Sequence, residues 1–452
     1  MSNTRRSFLK KSITASAVTF IAPSLLSFKN PLNRLNIAVI GVGGRGLANY
    51  SRVFESDNII AMCDVDDKMA ANGYKKILEK FPNAKKFKDY RKMFDKLANQ
   101  IDAVIISTPD HTHFAPAMTA MQLGKHVYLE KPLAHNVWEC RVLKKASRYY
   151  NIVSQMGNQG HTTNGIRQIK EWYDADVLGQ VEEVHAWMGQ IKYGYYWVKP
   201  SSFPAPEEKV PDHLDWNLWL GPRKYRPFNS AYAPRSWRGF YDFGNGQLGD
   251  WSCHTLDGPF WALDLGMPTK IEAYVPKPMT KEKFVAEQSV VTYKFPRRKG
   301  KKAVTLKWYE GIKPKIKPKW GLQEISNHGM IMTGSKKSLM TGGRPNNPKL
   351  LVDENEWNYF KNNMPDQKIA RLKSGDETPV EEWIDGIKND FLPLSNFSYG
   401  ADLTEMALLG VLAQRYGAKI KYDSKNMRIT NNNLLNSLLK EEMREGWSFN
   451  DF

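Results

Sequence analysis

Three glycines near the start of this 452-residue chain have the spacing of a phosphate-binding turn. Gly41, Gly43 and Gly46 follow the apolar residues 37–40 in the sequence IAVIGVGGRG. Glycines at this spacing allow a tight turn, a close approach of the backbone to a pyrophosphate and close packing of the next helix on the strand. The N-terminus of that helix favours the phosphate charge. The pattern predicts a dinucleotide-binding turn; the alternative is a structural turn without a nucleotide.

A carboxylate stands where a ribose-binding residue is expected. The β-like run 58–63 ends at Asp64, about 20 residues beyond the glycine turn, which is the usual distance for a side chain that hydrogen-bonds the adenosine ribose. A carboxylate at this position repels the 2′-phosphate of NADP. The sequence therefore predicts NAD as the cofactor.

Two further motifs follow β-like runs. Residues 105–113 have the sequence IISTPDHTH, and residues 127–132 have the sequence VYLEKP. With this pair of motifs the chain resembles the glucose-fructose oxidoreductase, inositol dehydrogenase and MocA (Gfo/Idh/MocA) family from about residue 35 onward. The resemblance implies a nicotinamide-dependent oxidoreductase that acts mainly on sugars and cyclitols, in which the cofactor carries the hydride chemistry.

The resemblance also implies roles for residues in these motifs. Lys131 is expected beside the nicotinamide and the reacting carbinol, where it orients the hydroxyl and helps to move its proton; the alternative is a surface lysine at a strand end. Asp110 stands where many relatives have asparagine, which favours His113 as a contact and leaves His111 unassigned. The cofactor contacts expected from the turn, the ribose position and these motifs are Gly41, Gly43, Arg45, Gly46, Asp64, Ser107, Thr108, Pro109, His113, Glu130 and Lys131.

A glycine-rich loop at 244–249 leads into a predicted helix that continues to residue 263. Asp250 and His254 are four residues apart and so share one face of that helix. The resemblance implies that this pair lies over the nicotinamide, with His254 as general base for the hydroxyl proton and Asp250 orienting it. One alternative is a helix cap and a core histidine, and another is a metal site that includes Cys253.

Polar and aromatic residues suggest where a substrate could bind. Gln159 and His161 follow the last predicted Rossmann strand. Gln159 is a candidate cofactor contact and His161 a candidate substrate contact; the alternative is that both belong to a locally hydrogen-bonded turn. Trp187, Trp237 and Arg238 are further candidate substrate contacts, because aromatic faces suit pyranose rings; the alternative is that the tryptophans are core residues. Seven of the 14 tryptophans lie between residues 187 and 261: Trp187, Trp197, Trp216, Trp219, Trp237, Trp251 and Trp261.

The elements that must position these residues fall into two regions. From 35 to 157, β-like runs alternate with helical segments, which predicts an NAD-binding Rossmann domain with a doubly wound parallel sheet. From 158 to 452, longer alternating stretches predict a substrate-binding α+β domain with a large, mostly antiparallel sheet. The C-terminal segment is a candidate to pack back on the Rossmann domain.

The N-terminus has the features of an export signal. Arg5 and Arg6 precede an apolar stretch, residues 13–26, that has no acidic residue and is short for a membrane span. Residues 1–30 are therefore predicted to be a twin-arginine signal, which makes the export machinery a partner and the periplasm the destination. No stable membrane span is expected in the mature form. The alternative is a chance arginine pair on a disordered tail.

The net charge of +18 is concentrated in two basic segments, residues 296–302 and 313–319. The first lies between alternating runs at 290–295 and 303–308, which predicts a β-hairpin with a basic turn. No nucleic-acid recognition module accompanies this charge, so a nucleic-acid partner is not expected. The three cysteines are an odd number and form no metal-type C-x-x-C pair, so a disulfide framework is not expected.

These observations predict an exported oxidoreductase that transfers hydride between a secondary hydroxyl of a sugar or glycoside and tightly bound NAD. Tight binding is expected because free NAD is scarce outside the cytoplasm. One alternative is an NAD-dependent glycosidase that acts by transient oxidation and elimination, against which the Glu-Lys-Pro motif weighs. The other is a non-catalytic glycan-binding protein. A homo-oligomer is a further candidate assembly.

Overall fold

A computed structural model describes residues 34–189, 196, 198, 200–276, 284–298 and 300–449. The predicted export signal, residues 1–30, lies outside the described residues, as does Trp197. Within them the chain forms two sheets, one parallel and one mixed, with helices against both.

The first sheet has six parallel strands in the order β3-β2-β1-β4-β5-β6. This is the strand order of a Rossmann domain, which confirms the predicted fold. Its central strands are buried on both faces and are rich in apolar residues, as parallel strands covered by helices require. The strands are β1 Asn36–Ile40, β2 Asn58–Cys63, β3 Lys85–Phe87, β4 Ala103–Ile106, β5 His126–Leu129 and β6 Ser154–Met156.

Helices connect these strands, and several of them begin at a side chain that caps the helix. Asp66 accepts hydrogen bonds from the main-chain N–H groups of Lys68 and Met69, and Asn136 forms a reciprocal capping box with Glu139. The helices of this region are α1 Arg45–Tyr50, α2 Asp67–Lys80, α3 Tyr90–Leu97, α4 Phe114–Gln122, α5 Val137–Tyr149 and α6 Asn164–Asp174.

The second sheet has nine strands in the order β13-β12-β11-β7-β10-β9-β8-β14-β15. Only the β7–β10 pair is parallel, so the sheet is mixed and mostly antiparallel, as predicted. The predicted basic hairpin is confirmed by the antiparallel pairing of β9 with β10. The strands are β7 Val181–Met188, β8 Lys270–Tyr274, β9 Ser289–Phe295, β10 Val304–Glu310, β11 His328–Gly334, β12 Ser338–Thr341, β13 Lys349–Leu350, β14 Lys419–Asp423 and β15 Arg428–Ile429.

The structure describes seven α-helices in the chain after β7. The helix expected to run to residue 263 is two helices, α8 and α9, separated at Leu256. Helix α12 is apolar around most of its circumference because it packs between the second sheet and α5. The helices are α7 Trp216–Leu220, α8 Gly246–Thr255, α9 Asp257–Ala262, α10 Glu354–Asn362, α11 Pro379–Asn389, α12 Phe397–Tyr416 and α13 Asn433–Ser437.

Two segments from the C-terminal part of the chain pack back on the Rossmann domain. Trp383 in α11 is buried against Tyr128 of β5 and donates from its indole N–H to the main-chain oxygen of Val153, at 3.2 Å. Near the C-terminus, the main-chain oxygen of Leu439 accepts a hydrogen bond from the N–H of Trp138. In the part of the chain that the structure describes, no helix combines the length and apolarity needed to cross a membrane.

Candidate active site between the two sheets

The glycine turn is held tightly against the end of β4. A Cβ at Gly41, whose φ is +86°, would meet the main-chain oxygen of Ser107 at 2.6 Å, and one at Gly46 would meet the oxygen of Gly41 at 1.9 Å. By contrast, a Cβ at Gly44 would have no heavy atom within 4 Å, because this residue faces an open cleft. The turn therefore presents bare backbone to the cleft at the start of α1, which fits a pyrophosphate.

Asp64 lies at the edge of the same turn. Its carboxylate accepts hydrogen bonds from the N–H groups of Val42, at 2.8 Å, and Gly43, at 3.3 Å, and also from the N–H of Asp66, at 3.0 Å. Burial raises its pKa, although these hydrogen bonds act in the opposite direction. Asp64 thus fixes the glycine turn and places a carboxyl group beside the expected ribose position.

The cleft has a volume of about 600 Å³ and runs from the glycine turn to the second domain. It brings together most of the residues predicted from the sequence to bind the cofactor or act on the substrate. Those that line it are Gly41, Gly43, Arg45, Asp64, Ser107, Thr108, Pro109, Glu130, Lys131, Gln159, Trp237, Arg238, Asp250 and His254. The structure shows that these residues line one cleft, whereas the role of each residue remains a prediction.

Glu130 joins the glycine turn to the strand ends. Its Oε1 accepts hydrogen bonds from Arg45, at 3.2 Å, from the amide of Asn49, at 2.9 Å, and from the amide of Gln159, at 3.4 Å. Arg45 is half-exposed and Glu130 is buried, so the charge of the carboxylate is compensated at the wall of the cleft.

Lys131 and Asp250 form an ion pair across the cleft floor. The Lys131 ammonium contacts the Asp250 carboxylate and also donates to its main-chain oxygen, at 3.0 Å. The other carboxylate oxygen accepts a hydrogen bond from the Tyr196 hydroxyl and lies 4.0 Å from Nε of Arg238. Burial alone would raise the pKa of Asp250, but the charges of Lys131 and Arg238 outweigh it and hold that pKa below its usual value.

His254 lies one helical turn beyond Asp250 and lines the same cleft. Its side chain is buried, and its Nδ1 has no hydrogen-bond partner. The expectation that Asp250 orients His254 is corrected, because the Asp250 carboxylate pairs with Lys131 and Tyr196 instead. Burial and then the positive charges of Lys131 and Arg344 hold the pKa of His254 well below the usual value for histidine. The imidazole is therefore neutral at neutral pH and can accept a proton.

Two predicted cofactor residues lie behind the cleft wall. Gly46 packs against Gly41 inside the turn. The ring nitrogens of His113 lie 2.8 Å from the main-chain oxygens of Pro132 and Thr108, so His113 joins the loops that follow β4 and β5. The fold places both as supports of the cofactor site rather than contacts, because close packing and buried carbonyl groups occupy them.

Two predicted substrate residues also lie away from the cleft. His161 is fully buried, with Nδ1 2.9 Å from Asp257 of α9. Trp187 is on the face of β7 that packs against Trp320 and Ile331, and its indole donates to the main-chain oxygen of Ser326. Both placements correct the expected substrate contact, because each side chain is buried in the protein interior and neither lines the cleft.

Tyr196, Trp251, Arg344 and Trp447 belong to the site or line the cleft but were not singled out as site residues from the sequence. None of these four residues belongs to a motif with a recognisable spacing. The one indication in the sequence was that Trp251 is next to Asp250, a predicted catalytic residue. Among the residues that the structure describes, no group of three or more histidine, cysteine or acidic side chains could hold a metal ion.

Comparison with known proteins identifies the family. Residues 35–157 match the model for the NAD-binding Rossmann fold of the Gfo/Idh/MocA oxidoreductases, and residues 162–302 match the model for the C-terminal alpha/beta domain of that family. The chain belongs to the Gfo/Idh/MocA oxidoreductase family. The match to an NAD-binding Rossmann fold confirms the predicted cofactor, NAD.

Relatives in the Gfo/Idh/MocA family differ in their named activities. Inositol 2-dehydrogenase of Salmonella typhimurium is 26% identical over 44% of this chain and 58% of its own length. Glycosyl hydrolase family 109 protein 2 of Akkermansia muciniphila is 27% identical over 36% of this chain and 37% of its own. The chain thus spans between about a third and three fifths of these curated relatives.

Solved structures of two dehydrogenases share the fold. A levoglucosan dehydrogenase in complex with NADH is 16% identical and superposes with a TM-score of 0.58 over 86% of this chain and 98% of its own. The WlbA dehydrogenase from Bordetella pertussis, in complex with NADH and UDP-GlcNAcA, is 13% identical, with the same TM-score and coverage.

Proposed function

We propose that this chain is an exported NAD-dependent oxidoreductase that transfers hydride between a secondary hydroxyl of a sugar or glycoside and a tightly held cofactor. The observation that carries the proposal is the convergence of Lys131, Asp250 and His254 on the cleft that begins at the glycine turn. A proton-accepting group and a hydroxyl-orienting group thereby lie beyond the carboxyl ends of the strands of the Rossmann domain, where this family binds NAD.

The chain's own groups divide the work on the substrate. NAD, when bound, accepts the hydride from the carbinol carbon. The neutral imidazole of His254 takes the proton of the hydroxyl, because its low pKa keeps it unprotonated before the reaction. Lys131 orients the hydroxyl oxygen, and Asp250 holds the Lys131 ammonium in place while Tyr196 holds Asp250.

The side of the cleft formed by the second domain suits a sugar. Trp237 and Trp251 line it, and the Arg238 guanidinium lies over the Trp237 ring at 4.2 Å from the ring centroid. Aromatic faces pack against the apolar face of a pyranose, and a guanidinium donates hydrogen bonds to ring hydroxyls. Relatives and structural neighbours named for inositol and levoglucosan support the same substrate class.

Export is the second part of the proposal. The arginine pair and the apolar stretch near the N-terminus match a twin-arginine signal, and this pathway carries folded proteins. A folded protein can carry a nucleotide acquired in the cytoplasm. A retained nucleotide would take hydride from the hydroxyl-bearing carbon of one substrate and return it to the carbonyl carbon of a second substrate at the same site, so that no supply of free NAD would be needed.

The experiment is to denature the purified protein, identify the released nucleotide by mass spectrometry, and analyse products from a panel of sugars and glycosides. The expected result is about one NAD per chain and a keto-sugar formed together with reduced nicotinamide. Stoichiometric NADP would overturn the specificity, and binding of glycans without turnover would favour a non-catalytic protein.

A second candidate is an NAD-dependent glycosidase, because several relatives of this chain are named as glycosyl hydrolase family 109 proteins. In that reaction the ring hydroxyl is oxidised, the neighbouring C–H proton is lost, the aglycone leaves, water adds, and the ketone is reduced again. Release of aglycone without accumulation of reduced nicotinamide, and with solvent deuterium incorporated beside the oxidised carbon, distinguishes it from the dehydrogenase.

A further inference from the structure

The cleft extends well past Asp64, away from the catalytic pair. On one side it is lined by Lys88, Asp89 and Tyr90, which follow β3, and on the other by Thr112 and Pro116 around the start of α4. In a Rossmann domain a dinucleotide lies across the strand ends, with its pyrophosphate at the first turn and its ribose at the end of the second strand. We call this part of the cleft the adenosine end.

Two segments from outside the Rossmann domain cover the adenosine end. One is helix α7, which contributes Leu218 and Trp219 to the lining. The other is the stretch of residues 438–449, which we call the C-terminal strap, and which contributes Trp447. The adenosine end is therefore closed by residues about 130 to 360 positions away from Lys88 in the chain.

Helix α7 is fixed to the loop after β2. The N–H of Asp67 donates to the main-chain oxygen of His213, at 3.0 Å, and the N–H of Asp215 donates to that of Val65, at 2.9 Å. The imidazole of His213 also lies 2.9 Å from the Asp66 carboxylate. These contacts hold α7 beside Asp64 and give the strap a rigid neighbour.

The strap is fixed to α7 by Arg444. Its guanidinium donates to the main-chain oxygen of Gly221, at 2.5 Å, and to both the side-chain and main-chain oxygens of Asn217, at 2.7 and 2.5 Å. Earlier in the strap, Glu441 forms an ion pair with Arg223, at 2.5 Å. Several charge-assisted hydrogen bonds thus hold a short terminal segment that has little regular structure.

Trp447 is the strap residue that reaches the cleft, and it is only 9% exposed. The Arg91 guanidinium lies 4.4 Å from its ring centroid, and Arg91 itself makes a bidentate pair with Asp89. The ring centroids of Tyr90 and Trp447 are 6.3 Å apart. The indole is therefore held in place before any ligand arrives, with an aromatic neighbour that also lines the cleft.

We propose that Trp447 forms an aromatic wall of the adenine site and that the C-terminal strap retains the cofactor by closing this end of the cleft. The inference rests on the proposed function in that the ligand is NAD. Planar aromatic side chains bind bases through stacking, which is tolerant of the exact base and adds to the affinity of the whole nucleotide. The proposal assigns the tight binding of NAD to the C-terminal strap, which lies outside the residues matched by either family model.

The test separates the two halves of the cofactor. Binding of AMP, nicotinamide mononucleotide and NAD is measured by calorimetry on the nucleotide-free full-length protein and on W447A, W447F and F449A. Phe449 is the matched control, because it lies in the strap and packs on Phe114 but is not among the residues that line the cleft. NAD retained through gel filtration is measured on the same variants as purified.

The expected result is that W447A weakens AMP and NAD binding about tenfold or more, leaves nicotinamide mononucleotide unchanged, and loses NAD during gel filtration. W447F is expected to recover most of the affinity, and F449A to bind AMP like the wild type. Unchanged AMP affinity in W447A, or an equal loss in F449A, would overturn the assignment of Trp447.

Failure of the proposed function gives a different result. If the wild type binds AMP through Trp447 but oxidises no sugar, the adenine site stands and the oxidoreductase assignment fails. If W447A oxidises sugar at saturating NAD and binds AMP normally, the enzyme stands and the adenine wall fails. A wild-type protein that binds neither AMP nor NAD overturns both.

Discussion

The Lys131 ammonium contacts the Asp250 carboxylate, and this pair joins the end of β5 in the Rossmann domain to helix α8 in the second domain. Both side chains are largely buried, so each charge depends on the other for compensation. The pair therefore couples the chemistry of the cleft to the relative position of the two sheets that form it.

Removal of either partner is expected to lower turnover. K131A and D250N should each reduce the single-turnover rate roughly 100- to 10,000-fold, the usual contribution of a positioned acid–base or orienting group, while NAD affinity changes little. The double variant should lose no more than the worse single variant, because the two groups act together. Stopped-flow absorbance of reduced nicotinamide measures this, with K125A, at the other end of β5, as control. Additive losses would show that the pair does not act as a unit.

His254 should remain an effective base in mild acid. A histidine whose folded pKa is depressed stays neutral as the pH falls through 6.5, so activity that needs the neutral ring persists below that pH. The acidic limb of kcat/KM is expected below the usual pKa of histidine, and H254A should lower turnover roughly 100- to 10,000-fold at every pH. H328A is the control, since His328 is exposed near Trp251. Near-normal turnover in H254A would make His254 a core residue.

Asp64 is expected to select NAD over NADP by its charge. D64N keeps an oxygen that can accept from the N–H of Val42, so the turn is preserved while the repulsion of a 2′-phosphate is removed. The ratio of NADP affinity to NAD affinity should rise by about tenfold, roughly one charge-assisted contact. Fluorescence titration with both nucleotides measures the ratio, and D95N serves as control because Asp95 is exposed in α3 and does not line the cleft. An unchanged ratio would assign the selectivity elsewhere.

Glu310 should make the stability of the fold depend on pH. Burial raises its pKa from 4.5 to about 7, although hydrogen bonds from Trp308, Gln414 and the N–H of Leu248 in α8 oppose the shift. Between these values the folded state binds the Glu310 proton more tightly than the unfolded state, so the contribution of Glu310 to stability is greatest below pH 4.5 and falls by roughly 3 kcal/mol as the pH rises towards 7.

E310Q is expected to lose that pH dependence. Urea unfolding of the wild type and E310Q between pH 4.5 and 8 should show a smaller decline in the free energy of unfolding for the variant, and E354Q, in an exposed first turn of α10, should follow the wild type. Parallel curves for the wild type and E310Q would place the titration on another group.

Features set by local chemistry were accessible from the sequence. Gly41 and Gly46 have no room for a Cβ, and Asp250 and His254 share a helical face because of their spacing. The parallel sheet followed from short apolar runs between helices, whereas β3 was missed because its three residues include Lys85 and Lys86. Backbone requirements of this kind leave a signal in consecutive residues.

Contacts between distant segments left no such signal. Tyr196 reaches Asp250 from 54 positions away, and Trp447 reaches the cleft from the C-terminal strap. Alternation along β7 showed that Trp187 belongs to one face of the strand but not which face the cleft occupies. His161 was placed in the interior by Asp257, 96 positions away, and only the tertiary structure supplies that partner.

The export proposal predicts a requirement for guanidinium groups near the N-terminus. The twin-arginine pathway recognises the arginine pair and not positive charge alone, so R5K/R6K should leave the precursor in the cytoplasm although the net charge is unchanged. Fractionation of cells that express the wild type and the variant measures the periplasmic share, and K10R/K11R is the matched control, because it alters nearby basic residues without touching the pair. Equal periplasmic recovery of all three proteins would show that export does not depend on Arg5 and Arg6, and retention of K10R/K11R alone would place the recognised residues further along the segment.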